Sequence, residues 1–94
     1  MDFSVYILHS QSIDKFYIGY TSDFSQRLKF HNSDQNKIWT KKGQPWAVHI
    51  LLEGLEKSQA MKIEKHLKNM KSRKYLIDLK LNPLNILDLK QRFS

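Results

Sequence analysis

Five residues of this chain have the types and spacing to do chemistry together: Tyr6, Tyr17, Arg27, His31 and Glu64. Tyr17 sits just ahead of Ile18 and Gly19 in a short apolar run. Arg27 and His31 are spaced i,i+4, which sets both side chains on one side of a helix. A phenol and an imidazole pass protons, a guanidinium is a permanently charged fork for anions, and a carboxylate accepts protons or holds a cation. Each residue also has an ordinary structural reading. A strand tyrosine usually packs half-buried, Arg27 and His31 suit the flank of a solvated helix, and Glu64 with Lys68 at i,i+4 makes a pair contributing only about 0.2–0.5 kcal/mol.

To act together these groups need a scaffold, and the patterning supplies one. Residues 3–9 and 16–21 are rich in β-branched and aromatic side chains and flank a polar stretch at 10–15, which predicts an antiparallel hairpin. With Phe3, Val5, Ile7, Phe16 and Ile18 on the core face, alternation sends Tyr6, Tyr17 and Gly19 to the other. Thr21, Ser22 and Asp23 are all acceptable N-caps, and Asp23 with Gln26 resembles a capping box, so a helix is predicted from Phe24 to Asn32. Phe24 and Leu28 form its apolar stripe, with His31 at the edge and Arg27 just beyond, both facing the flank where a groove can form.

Residues 32–45 are polar and irregular, closed by Gly43 and Pro45. Residues 46–53 predict a third strand, apolar enough for the sheet's interior or for cover on both faces. Ser58 is the expected cap of a helix whose stripe is Ala60, Ile63, Leu67 and Met70, with Glu64 on its flank among lysines. Ser72 opens a further helix to about Leu81, which Asn82-Pro83 breaks before a last short stretch, Leu84 to Leu89. The order β-β-α-β-α-α is an α+β pattern: a small three-stranded antiparallel sheet flanked by helices, in one domain over residues 1–94.

Sixteen Lys and Arg against nine Asp and Glu give a net charge of +7, which favours a polyanionic partner, nucleic acid first, and equally suits a solvated basic surface. The absence of cysteine excludes disulfides and Cys-based zinc sites, and the four histidines lack a ligand-like spacing. No apolar run approaches the roughly 20 residues that cross a bilayer, and the first residues lack the pattern of a secretory leader. The expectation is a soluble, cytoplasmic protein with no membrane contact and no small-molecule cofactor.

Val5-Tyr6-Ile7, then Tyr17-Ile18-Gly19, then Arg27 with His31 and a glutamate in a later helix, together resemble the GIY-YIG nuclease family. Asn82, Pro83, Asp88 and Leu89 are similar to the tail of its small stand-alone bacterial members. The resemblance implies a GIY-YIG-like fold and a metal-dependent endonuclease hydrolysing DNA phosphodiester bonds, in DNA repair or recombination. It implies Glu64 as ligand of Mg²⁺ or Mn²⁺, an ion that one or two carboxylates commonly hold, with water and phosphate completing the shell. It makes Arg27 the fork that stabilises transition-state charge. Tyr17 takes a proton from the attacking water or positions that water, since nearby positive charge favours a phenolate, and Tyr6 is a supporting phenol or alternative base. His31 donates to a phosphate or carries a proton, and Gly19 lets the nucleic-acid backbone approach closely. The chain departs from the pattern at Ser4, which stands where the first motif has its glycine. It departs again at Leu76, the position where many family nucleases carry Asn.

Lys37, Lys41 and Lys42 surround Trp39 in the irregular stretch, a mixture suited to phosphates and bases, although the same tryptophan also reads as a loop's anchor to the core. Lys68, Lys71 and Lys74 are candidates for tracking a DNA backbone, within a cationic run that also reads as a solvated face. The alternative function on this fold is a catalytically inactive nucleic-acid-binding module, and behind it a protein-interaction domain whose charge serves solubility.

Overall fold

Val5, Tyr6, Ile7 and Leu8 are all buried, so the strand they form has no solvent face. That strand, β1 (Phe3–Ser10), is accordingly the middle of a three-stranded antiparallel sheet, between β2 (Lys15–Thr21) and β3 (Trp46–Leu55). The computed structural model describes residues 2–94. The expectation that the third strand lies in the sheet's interior or is covered on both sides is corrected on both counts: β3 is an outer strand, with Ala47, Val48, Glu53 and Gly54 exposed. Its apolar run is real, but one edge and part of one face are left to solvent.

The hairpin pairs Tyr6 with Gly19, Ile7 with Ile18 and Leu8 with Tyr17. Asp14 in its turn adopts a left-handed φ of 50°, which aspartate tolerates better than most residues. Its carboxylate accepts from Arg73 at 2.9 Å and contacts the His9 ring at 3.0 Å, tying the turn to the third helix. Those two partners, His9 first, hold the Asp14 carboxyl below its ordinary value.

Four α-helices follow among the described residues, each with a side-chain start signal. Asp23 opens α1 (Phe24–His31) by accepting from the Gln26 N–H at 3.1 Å. A capping box of Glu56 and Gln59 opens α2 (Lys57–Met70), two positions ahead of the cap expected at Ser58. Ser72 opens α3 (Arg73–Leu81), and Asn82 opens α4 (Pro83–Arg92) with proline as its first residue. Asn82-Pro83 therefore ends one helix and starts another, so the last stretch is a 10-residue helix where a shorter segment was expected. Residues 32–45 contain a short 3-10 helix, Trp39–Gly43.

The sheet is covered on both faces. On one, Ala60, Ile63 and Leu67 of α2 pack with Leu76, Leu79 and Leu89 against Val5, Ile7, Ile50 and Leu52. Met70, expected on the same stripe, is 42% exposed at the end of α2. On the other face Tyr6, Leu8 and Trp46 are buried with Tyr17, Phe24 and Leu28 against them. Among the described residues no helix is long and apolar enough to cross a membrane.

Candidate active site at the free edge of the sheet

Because β2 is an outer strand, side chains from both layers can reach its edge: α1 lies over one face and α2 under the other. A cleft of about 670 Å³ opens there, lined by Tyr6, Tyr17 and Gly19 of the hairpin, Arg27 and Phe30 of α1, and Glu64 of α2. Four of the five residues singled out from the sequence thus share one concavity, and the fifth, His31, does not line it.

Tyr6 stands directly across from Gly19 on the neighbouring strand. A Cβ added at residue 19 would fall 2.5 Å from the Tyr6 hydroxyl oxygen and 2.6 Å from Cζ, far inside van der Waals contact. The glycine therefore makes room for a phenol, where the expectation was room for a nucleic-acid backbone. The Tyr6 and Tyr17 rings are stacked with centroids 6.2 Å apart. Burial, followed by the neighbouring Tyr17, pushes the Tyr6 pKa up to about 12, against the opposing pull of the Arg27 charge. At neutral pH Tyr6 is a protonated phenol, a hydrogen-bond donor.

The Arg27 guanidinium rests 5.6 Å from the Phe30 ring centroid, a cation–π contact that restrains a long side chain at the cleft wall. Glu64 crosses from the α2 side, its side chain 18% exposed, with the Lys68 ammonium 3.5 Å away. Among the described residues there is no group of three or more His, Asp or Glu arranged to hold a metal. Two carboxylates line the cleft, and Asp23 is engaged as the cap of α1. Glu64, with phenol oxygens nearby and no imidazole on the wall, does fit a hard hydrated cation that shares its shell with water and phosphate.

His31 differs most from expectation. The edge of the α1 stripe turns out to lie against the sheet, and the ring is 1% exposed. Its Nε2 is 3.3 Å from the Tyr6 hydroxyl and its Nδ1 is 3.1 Å from the Thr40 hydroxyl. Burial, then the Arg27 charge, lowers its pKa, so the ring is neutral and carries one N–H. It either accepts from Tyr6 and donates to Thr40 or does the reverse, and both arrangements tether the phenol. Contact with a phosphate in the cleft is closed to a ring so placed.

Around His31 is a polar network that the sequence reading passed over. Asn36 Nδ2 donates to the Thr40 hydroxyl at 2.7 Å and to the His31 carbonyl at 3.2 Å. Gln44 donates to the same carbonyl at 2.8 Å, and Asn32 brackets the Trp46 backbone, accepting from its N–H at 2.6 Å. Asn36 and Thr40 are fully buried. Nothing in the periodicity of residues 32–45 marks these polar side chains as interior.

The six candidate lysines are divided. Lys68 stands beside Glu64, whereas Lys71 ends α2 in a left-handed conformation and Lys74 pairs with Asp78 at 2.9 Å. None of the three lines the cleft. Lys37, Lys41 and Lys42 line a separate depression with Trp39.

The family model described as the GIY-YIG catalytic domain matches residues 2–76. The solution NMR structure of the UPF0213 protein BH0048 from Bacillus halodurans is similar, with 30% identity and a TM-score of 0.55 over 93% of this chain and 94% of that one. No curated protein matches the chain.

Proposed function

We propose, for a chain that belongs to the GIY-YIG nuclease family, that it is an endonuclease hydrolysing DNA phosphodiester bonds with the aid of Mg²⁺ or Mn²⁺. The observation that carries this reading is the convergence of Tyr6, Tyr17, Arg27 and Glu64 on one cleft in a chain of net charge +7.

Glu64 is the residue that would hold the cation. When bound, such an ion supplies Lewis-acid polarisation of a phosphate and a water of lowered pKa. Arg27 binds the non-bridging oxygens of the scissile phosphate and meets the charge that grows on them, a role its planar fork fills better than an ammonium. Tyr17, on the cleft wall and partly exposed, orients the attacking water and receives its proton. Tyr6, kept protonated by burial, donates to an oxygen in the cleft or to His31 and holds Tyr17 by stacking. His31 acts from beneath, as a positioning residue for Tyr6. Lys37, Lys41 and Lys42 on one side, and Lys68, Lys71 and Lys74 at and beyond the end of α2 on the other, contribute phosphate contacts outside the cleft. The chain acts as one domain, in the cytoplasm, in DNA repair or recombination.

A second reading, a nucleic-acid-binding module without turnover, draws on Leu76: the position where many family nucleases have Asn is filled by a buried core residue. One experiment separates the two. Purified protein with Mg²⁺ is expected to nick plasmid or branched DNA, and Glu64→Ala to abolish nicking while sparing binding. Salt-sensitive binding with no product in any divalent metal establishes the module, and equal cleavage by Glu64→Ala removes Glu64 from the chemistry.

A further inference from the structure

Trp39 is large, aromatic and 48% exposed, yet its surroundings are built rather than loose. Its ring meets Trp46 edge-on at 5.7 Å and Tyr17 at 5.8 Å. The backbone on either side is pinned: Thr40 is fully buried, the Trp46 indole N–H donates to the Thr40 carbonyl at 2.5 Å, and Gly43 leaves space that the Trp46 ring fills. A solvent-facing indole is thereby held in one orientation with Lys37, Lys41 and Lys42 around it in a depression of about 630 Å³. Tyr17 joins this depression to the candidate active site, since its ring touches Trp39 and lines the cleft.

From this juxtaposition we propose that Trp39 is a stacking platform for an unpaired nucleobase of DNA, placed beside the cleft so that the substrate is a strand with a free base flanking the cut phosphate. The inference deepens the nuclease reading and rests on it for the polymer that is bound. An indole held in place stacks only on a base whose face is free, and in an intact duplex neighbouring pairs cover both faces. The three lysines give the sugar-phosphate backbone a place beside the platform, and pre-organisation of the 3-10 helix means little ordering cost on binding.

The test uses the full chain carrying Glu64→Ala, without metal, titrated with a fluorescently labelled single-stranded oligodeoxynucleotide and with the blunt duplex of the same sequence. Single-strand binding is expected to quench tryptophan emission. Trp39→Ala is expected to weaken single-strand affinity about tenfold while changing duplex affinity little, because each stacked base typically contributes a factor of that order. Trp39→Phe retains most of the affinity and loses the quench, which then reports only Trp46. Equal losses on both DNAs, or no loss on either, overturn the platform. Should Trp39→Ala lose its circular-dichroism signature, the Trp39→Phe quench decides: a quench that persists unchanged overturns it. Because the measurements are of binding, absence of cleavage by the unmodified chain defeats the nuclease reading and leaves the platform's result intact.

Discussion

The two faces of the sheet are covered by different materials. Beneath it, α2, α3 and α4 close an apolar core around Ile63, Leu67 and Leu79. Above it, α1 and the 3-10 helix close over Tyr6, His31, Asn36 and Thr40, buried side chains that are hydrogen-bonded to one another. Apolar packing is non-directional and tolerates repacking, whereas a hydrogen-bonded interior fixes rotamers and is costly when one member fails. The lower face thus supplies stability and the upper face supplies position, and the cleft forms where the two meet at the edge of β2.

That division breaks if the faces respond alike. The largest expected effect is on the lower face: Ile63→Ala, at a site with no exposure, should cost about 2–5 kcal/mol in urea denaturation, with cleavage per folded molecule unchanged. A loss of activity matching the loss of stability would erase the distinction. Gly19→Ala is the corresponding change above. The new methyl meets the Tyr6 phenol, which is buried and cannot swing away, so about 1–3 kcal/mol of stability should be lost. Cleavage should fall on the order of a hundredfold from the misplaced ring, measured as kcat for plasmid nicking. Wild-type cleavage by this variant would show that Tyr6 need not sit where it does.

The smallest effect sharpens the comparison through pH. Burial lowers the pKa of His31 in the upper layer and of His49 and His66 around the lower one. A group with a depressed folded pKa gives its full stability above its unfolded value of about 6.5 and loses it as pH falls. Thermal melts between neutral pH and about pH 5 should therefore decline, and His31→Gln should flatten that decline more than His66→Gln does, since His31 is the more buried ring. Equal slopes would mean that the upper network carries no special sensitivity to protonation.

Much of this was legible residue by residue. Asp23 and Ser72 announce their helices because a cap is a local hydrogen bond, and strict alternation places Tyr6, Tyr17 and Gly19 on one face of the hairpin. Glu64 is found as a flank carboxylate because helical period fixes its angle to Ile63 and Leu67. Periodicity gives the face a side chain takes but not what lies above that face. The outer place of β3, the burial of His31 and the interior role of Asn36 and Thr40 depend on pairing order and on the path of residues 32–45, which no local pattern encodes. Proline at position 83 carries two local meanings, stop and start, and only the neighbouring helix resolves them.

The pairing of Tyr6 with Gly19 has a consequence for how such a chain can change over generations. The ring occupies the volume that any side chain at position 19 would need. A larger residue at 19 fits without strain only if residue 6 shrinks at the same time, and shrinking residue 6 removes the phenol. Neither replacement alone keeps both the packing and the phenol, so any change at one position bears on the other across two strands.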